Sequence, residues 1–306
     1  MGTPVSIGIC AYNEAGRIRD SLESLASQTL PSAFEIVEIL VVASGCTDGT
    51  EAQVLRAAQR DVRIELIREP ERRGKASALN RILAVYRGDL LVLVNADAQL
   101  APDSLMALLR VFTDFPETSV ACGAPVAEAN GGLPHLVQEV QWNLHNRVLA
   151  VQSAQNRENH CCDELMAIRR GFVDSLPPDL INDGAYFGVL AALSRQTVRF
   201  SRDARVIVHT PRSVRGLVAQ RRRILQGHRQ VRRILHHAPT TLEHLSKQDP
   251  PLAARILAGE IREHPFALLV LVLLALPLEA LSAGLAAPDE MKGPAYASAW
   301  PKVDYL

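Results

Sequence analysis

From Val5 onward, short β-branched apolar runs alternate with stretches whose apolar positions recur three and four residues apart. Residues 5–10, 36–42, 62–67, 90–95 and 119–122 read as strands. Residues 17–27, 50–59, 75–86 and 102–112 read as helices, and the three-and-four spacing is clearest in the first and third. Strands alternating with helices imply right-handed βαβ crossovers, so the pattern predicts an α/β fold with a doubly wound, mostly parallel sheet and flanking helices. Ligands of such sheets sit beyond the carboxyl ends of the strands. That rule points to Ala11-Tyr12-Asn13-Glu14, to residues 43–50 and to Asn95-Ala96-Asp97.

The second half has a different texture. Residues 135–153, with Trp142, His145 and Arg147, read as a long helix. Residues 220–237 form a basic amphipathic helix, in which arginines interleave with Ile224, Leu225, Val231 and Ile234. Such a helix suits an anionic membrane surface, with Arg stems covering apolar area and guanidinium heads at phosphates; the alternative is an ordinary solvated helix. Residues 266–278 are then uninterruptedly apolar, and after Glu279 residues 280–287 extend the run to about the 20 residues a bilayer crossing needs. Membrane insertion or deep interfacial burial is the expectation. A buried core helix is the competing reading, since Pro277 and Glu279 break the run. Residues 1–4 carry no basic region and the apolar stretch 5–12 is too short for a secretory signal, so the body of the chain is expected on the cytoplasmic side of the cell membrane.

Composition narrows the classes. The 33 Lys+Arg balance 33 Asp+Glu, which excludes a uniformly basic nucleic-acid binder. That neutrality is an average over unlike parts: residues 204–242 hold nine arginines and no acidic residue. Stacking aromatics do not accompany them, so a nucleic-acid partner is not expected. A 48% hydrophobic share with 5% aromatic is mainly aliphatic, as in helix-covered parallel sheets. Five cysteines without a CxxC pair suggest a reducing compartment.

Among the strand ends, Asp97 has the strongest physical case, because a carboxylate closing an apolar strand must be solvated, capped or coordinated. A divalent ion shared with substrate phosphates would suit it; capping a helix near Pro102 is the alternative. Residues 44–50 either face a nucleotide or only start a helix. Lys75, where a helix begins after Arg72-Arg73-Gly74, is a candidate phosphate contact or a solvated surface lysine. The chain has no G-x-G-x-x-G after the first strand and no G-x-x-x-x-G-K-[ST], so neither a dinucleotide oxidoreductase nor a P-loop NTPase is supported.

In order and spacing these segments resemble the family 2 glycosyltransferases, inverting nucleotide-sugar enzymes of the GT-A fold. Ala11-Tyr12-Asn13-Glu14 resembles the family's first-strand motif around base and ribose, and residues 41–50 its second-strand motif. Gly74-Lys75-Ala76-Ser77-Ala78-Leu79-Asn80 is similar to the nucleotide and phosphate segment. Asn95-Ala96-Asp97 stands at the D-x-D metal motif, Asn182-Asp183 at the E-D pair, and Gln220-Arg221-Arg222-Arg223 at the start of Q-x-x-R-W. Residues 161–170 resemble the strand before the catalytic acid. The resemblance implies donor binding by Ala11, Tyr12, Glu14, Ser44, Lys75, Ala96 and Asp97, and Mg²⁺ or Mn²⁺ on Asp97. It makes Asp183 the catalytic base, with a helix cap as its structural alternative, and places Gln220 and Arg223 at the diphosphate and acceptor.

The chain departs from the pattern at named positions. Ala43-Ser44 replaces the acidic pair of the second strand, which leaves the donor base open; Asn95 replaces the first Asp of D-x-D, and Asn182 the Glu of E-D. Ile224 stands where a Trp lines the acceptor site of polysaccharide synthases, so a processive synthase is not expected. The implied organisation is a GT-A catalytic domain over 1–212, a basic interfacial helical region over 213–262, a membrane segment over 263–288 and a short tail over 289–306. The implied function is metal-dependent, inverting transfer of a sugar to a hydroxyl of a glycan or lipid-linked acceptor at the membrane. A related nucleotidyltransferase and a non-catalytic sugar-nucleotide binder are the alternatives.

Overall fold

A computed structural model describes residues 2–286. The expected strands are present as β1 (Thr3–Ala11), β2 (Phe34–Ser44), β3 (Ile64–Glu69), β4 (Leu90–Asn95) and β6 (Thr118–Ala127). β7 (Leu165–Arg169) falls within residues 161–170, which the resemblance reads as a strand, and the structure adds β5 (Gln99–Leu100) and β8 (Thr197–Val208), giving one eight-stranded sheet in the order β3-β2-β1-β4-β7-β6-β8-β5. β1, β2, β3 and β4 are mutually parallel, β6 and β8 are parallel, and β7 runs against both its neighbours. The pattern missed β8 because Arg199, Ser201, Arg202, Asp203 and Arg205 leave its exposed positions polar and its apolar alternation weak.

Period two along the strands supplies both faces. Ile39 and Val41 of β2, with Val92 and Val94 of β4, meet Ile18, Leu22, Leu105 and Leu108 from α1 (Ile18–Ala26) and α4 (Ser104–Asp114) on one side. Leu40, Val42, Leu91 and Leu93 meet Leu79, Ile82 and Phe187 from α3 (Lys75–Val85) and α6 (Asp183–Leu193) on the other. With both faces covered, the carboxyl ends of the parallel strands are where polar groups collect. α2 (Thr50–Ala58) follows β2 as expected.

A third apolar cluster joins the remaining helices. α5 (Gly132–Ala154) contributes Val137, Val140 and Leu144, α7 (Val214–Leu235) contributes Leu217, and α8 (Leu242–Gln248) contributes Leu245. α9 (Pro250–Glu263) adds Leu252 and Ile256, and α10 (Ala267–Ala286) adds Ala267, Val270, Ala275 and Leu278. α5 and α9 are also clamped by charge: Arg147 Nε lies 2.7 Å from the fully buried Glu260 and its other arm 2.6 Å from Glu263.

α10 is the one helix among the described residues long and apolar enough to cross a membrane. Its first part contains a π-helical turn at Leu271–Ala275. Pro277 gives the reason, since its ring would collide with the Leu273 carbonyl and leaves that carbonyl without an i+4 donor. One face packs on the third cluster, while Leu268, Leu269, Val272, Leu273, Leu276, Leu281 and Leu285 are exposed. A core helix would bury those side chains. Glu279, the break in the apolar run, accepts two hydrogen bonds from Arg221 of α7 at 2.8 and 2.9 Å. Residue 287 of the apolar run, the end of the expected 263–288 segment and the 289–306 tail lie outside the described residues.

Candidate active site

The loops after β1 and β2 are tied together. Thr47 N donates to Asn13 Oδ1 at 2.8 Å, Glu14 N to Thr50 Oγ1 at 2.7 Å and Ala15 N to Asp48 Oδ2 at 3.0 Å. Gly45 turns the chain after Ser44 with φ +61°, and a Cβ there would lie 2.3 Å from Arg72 N, so only glycine fits. This close approach brings the 71–74 turn against the first loop, where the Arg72 guanidinium stacks 3.9 Å above the Tyr12 ring. Tyr12, Glu14, Ser44, Arg72 and Gly74 thereby form one wall of a cavity of about 980 Å³.

Lys75, the first residue of α3, is not a solvated lysine. Its Nζ lies 3.0 Å from Asp163 Oδ2 and 3.1 Å from Asp183 Oδ1. Burial pushes Asp183 up, Lys75 pulls it down and Asp163 pushes it up again, leaving its carboxyl at about 6. Burial opposes ionisation of Asp163 as well, yet the Lys75 ammonium holds it down at about 2. Lys75 is raised despite its own burial, because two carboxylates face it.

Asp183 is not the cap of α6. Asn182 is, accepting from Ala185 N at 2.8 Å, and Asp183 occupies the first helical position at 4% exposure. Two glycines permit this packing: a Cβ on Gly184 would sit 2.4 Å from Cys161 O, and one on Gly227 of α7 would sit 2.6 Å from Asn182 Cβ. Gln230 of α7 fixes the approach to Asp183 by accepting from Ile181 N and donating to Asp179 O, each at 2.9 Å.

Asp97 follows β4 in a turn closed by Ala98 N to Asn95 O at 3.1 Å. It does not cap the next helix, which starts at Ser104 behind Asp103. Across the antiparallel β4–β7 pairing, Asn95 N donates to Glu164 O at 3.3 Å and Asn95 Nδ2 donates to Glu164 Oε2. Glu164 is pushed up to about 8 by burial and then by the charges of Asp163 and Asp97. Among the described residues no three His, Cys, Asp or Glu side chains form a metal cage. Asp97 and Glu164, both lining the cavity, fit a Mg²⁺ or Mn²⁺ ion that takes its other oxygens from phosphates and water.

Trp142 and His145 of α5, His160 and His228 of α7 form an edge-to-face series with centroids 5.0 to 5.6 Å apart. Burial lowers His145 to about 3 and His160 to about 4, and lowers His228 too, so these rings are neutral. Beyond them the cavity continues between Leu257 and Ile261 of α9 and Leu268, Val272 and Leu276 of α10.

Ala11, Tyr12, Glu14, Ser44, Lys75, Ala96, Asp97, Gln220 and Arg223 all line this one cavity. Asp183 lies just behind it, with Asn182 in the wall and Lys75 as its bridge. The sequence reading gave no role to Asp163, Glu164, His160, His228 or Gln230. Two adjacent acids heading the apolar run 165–168 were a signal for the first pair; the others needed the fold. The five cysteines are free thiols, and Cys122, Cys161 and Cys162 are buried.

A carboxylate-lined cavity at the carboxyl edge of this sheet, with an antiparallel strand beside the fourth parallel one, is the GT-A arrangement that the sequence resemblance implies. The glycosyl transferase family 2 profile matches residues 6–176, more than half of the chain, and the chain belongs to that family. The nucleotidyltransferase alternative falls with this membership. The glycosyltransferase AglD of Haloferax volcanii is 36% identical over 100 residues, 31% of this chain and 16% of that protein. An N-acetylglucosaminyltransferase of Rhizobium meliloti is 28% identical over 176 residues, 56% of this chain and 40% of its own length. The chain thus covers well under two thirds of these relatives. In structure it resembles a mannosyltransferase from Pyrobaculum calidifontis, solved with GDP-Man and Mn²⁺, at TM-score 0.65 and 24% identity over 97% of this chain and 84% of that one. Glucosyl-3-phosphoglycerate synthase from Mycobacterium tuberculosis, solved with Mn²⁺ and UDP, matches at 0.51 and 18% over 75% and 80%.

Proposed function

We propose that this glycosyltransferase moves a sugar, with inversion, from a nucleotide-sugar donor to a hydroxyl of a glycan or lipid-linked acceptor at the cytoplasmic face of the membrane. The observation that carries it is Asp183, held just behind the cavity wall by Lys75 at 3.1 Å and raised by burial to about 6, so that it is ionised at neutral pH and still basic enough to take a hydroxyl proton. Tyr12, Glu14 and Ser44 would hold the nucleoside, and Ala96 would let the diphosphate approach the backbone. Asp97 would hold Mg²⁺ or Mn²⁺, which supplies charge to offset the departing diphosphate. Gln220 and Arg223 reach the same cavity from α7 and would contact diphosphate and acceptor. Deprotonated by Asp183, the acceptor oxygen attacks the anomeric carbon from the side opposite the diphosphate, which inverts it.

Two features favour a lipid-linked acceptor. The cavity that holds the carboxylates is also lined by Leu257, Ile261, Leu268, Val272 and Leu276, and the last three, on α10, are exposed as well. An aliphatic chain dissolved in a bilayer around α10 would reach the carboxylates by this route.

The test is release of nucleoside diphosphate from GDP- and UDP-sugars with Mn²⁺ and a prenyl or acyl acceptor. Asp183→Asn is expected to reduce it by about 10²–10⁴-fold, the usual range for loss of a general base. Full turnover in Asp183→Asn would refute the assignment. For the membrane, Leu269→Glu with Leu273→Glu is expected to abolish flotation with lipid vesicles at unchanged Tm, both side chains being exposed; undiminished flotation would refute it.

A further inference from the structure

The family pattern places two acids on one turn, whereas this chain has Asn95 and Asp97. The partner of Asn95 changes the meaning of that substitution. Its side-chain amide donates to Glu164 Oε2, and its backbone N–H to Glu164 O at 3.3 Å. A carboxylate therefore stands one hydrogen bond from the position of the missing one, carried by the residue that leads into β7 instead of by β4. The antiparallel register fixes it there, because Leu165 pairs with Val94 and the next residues of each strand, Glu164 and Asn95, run on together into the cavity wall.

We infer that Glu164 is the second protein carboxylate of the metal site, replacing the first acid of D-x-D across the sheet, with Asn95 as its positioning residue. The geometry explains both residues at once. An Asp at 95 beside Glu164 would set two carboxylates against each other inside a site already holding Asp97 and Asp163. Asn95 instead offers an N–H that orients Glu164 while one carboxylate oxygen remains for the cation. Asp163 is not available for this purpose, being paired with Lys75 at 3.0 Å. This inference rests on the metal-dependent reading above.

Binding of Mn²⁺ in the presence of GDP or UDP, followed by loss of the free-ion paramagnetic resonance signal, tests it without turnover. Glu164→Gln is expected to weaken Mn²⁺ binding by at least about tenfold, since even residues that only orient a ligand are worth about 10–100-fold. Adding Asn95→Asp to Glu164→Gln, which returns the carboxylate to β4, is expected to restore affinity to within a few fold. Asn95→Ala, which keeps Glu164 and removes its amide partner, is expected to fall between wild type and Glu164→Gln. Unchanged affinity in Glu164→Gln overturns the assignment, and so does a loss that Asn95→Asp fails to rescue. Wild-type protein that takes up no Mn²⁺ with either diphosphate overturns the metal-dependent reading itself, and this inference with it.

Discussion

Replacing Lys75 by Met keeps most of the length of the side chain and removes the ammonium that bridges Asp163 and Asp183. Two carboxylates would then share a largely desolvated site without their cation. Breaking a buried pair costs about 3–5 kcal/mol, and the low end applies, because about a fifth to a third of the Lys75 and Asp163 side chains meets solvent. At about 2.1 cal/mol/K of unfolding entropy per residue, 3 kcal/mol over 306 residues corresponds to about 5 °C in Tm. The sign of the pH dependence follows from the same contacts. In the wild type Asp163 is held at about 2, below its unfolded value, so its contribution is present at neutral pH and is lost only as pH falls through that value. Without Lys75 both carboxyls shift upward, a raised folded pKa makes stability fall as pH rises through it, and the deficit of Lys75→Met should be smaller at pH 5 than at pH 7.5. Thermal melts of Lys75→Met, Asp183→Asn and the double variant at both pH values measure this. The double variant should be more stable than additivity predicts by more than about 0.5 kcal/mol. Additive losses, or a deficit that does not depend on pH, would refute the bridge as the organising contact.

In the pH–rate profile, kcat/KM should rise about tenfold per pH unit up to about 6 and then level, because Asp183 must be deprotonated to act. A profile flat from pH 4.5 to 8 would contradict that role. Glu279→Ala should cost about 1.5–3 kcal/mol by leaving the Arg221 guanidinium without its two charge-assisted bonds, and limited proteolysis should then cut first near α10. Gly227→Ala should lose about 1–3 kcal/mol and lower kcat, because a Cβ 2.6 Å from Asn182 Cβ pushes α7 off the Asp183 loop. Unchanged Tm in that variant would show that α7 does not set the loop's position.

The pH dependence, the bridge and the glycine contact all depend on residues far apart in sequence, and this divides what the chain reveals directly from what it does not. Alternation of β-branched runs with helical spacing located β1, β2, β3, β4 and β6 within a few residues, because both faces of a covered sheet demand apolar side chains. The rule for strand carboxyl ends then picked out Tyr12, Ser44 and Asp97, which do share a cavity. These are local signals, and local pattern suffices for them. β8 escaped because a polar-edged strand carries little periodicity, and the short β7 was legible only through the family resemblance of residues 161–170. Lys75 could be read as a surface lysine because nothing within its own helix shows Asp163 and Asp183 at its tip. Likewise Glu279 looked like a flaw in an apolar helix until α7 supplied Arg221, and Asn95 like a lost ligand until β7 supplied Glu164. Composition and period determine which residues are buried and which surround a strand end. Only the tertiary structure decides which charges meet, since ion pairing depends on distances of about 3 Å that sequence separations of 58 to 108 residues leave open.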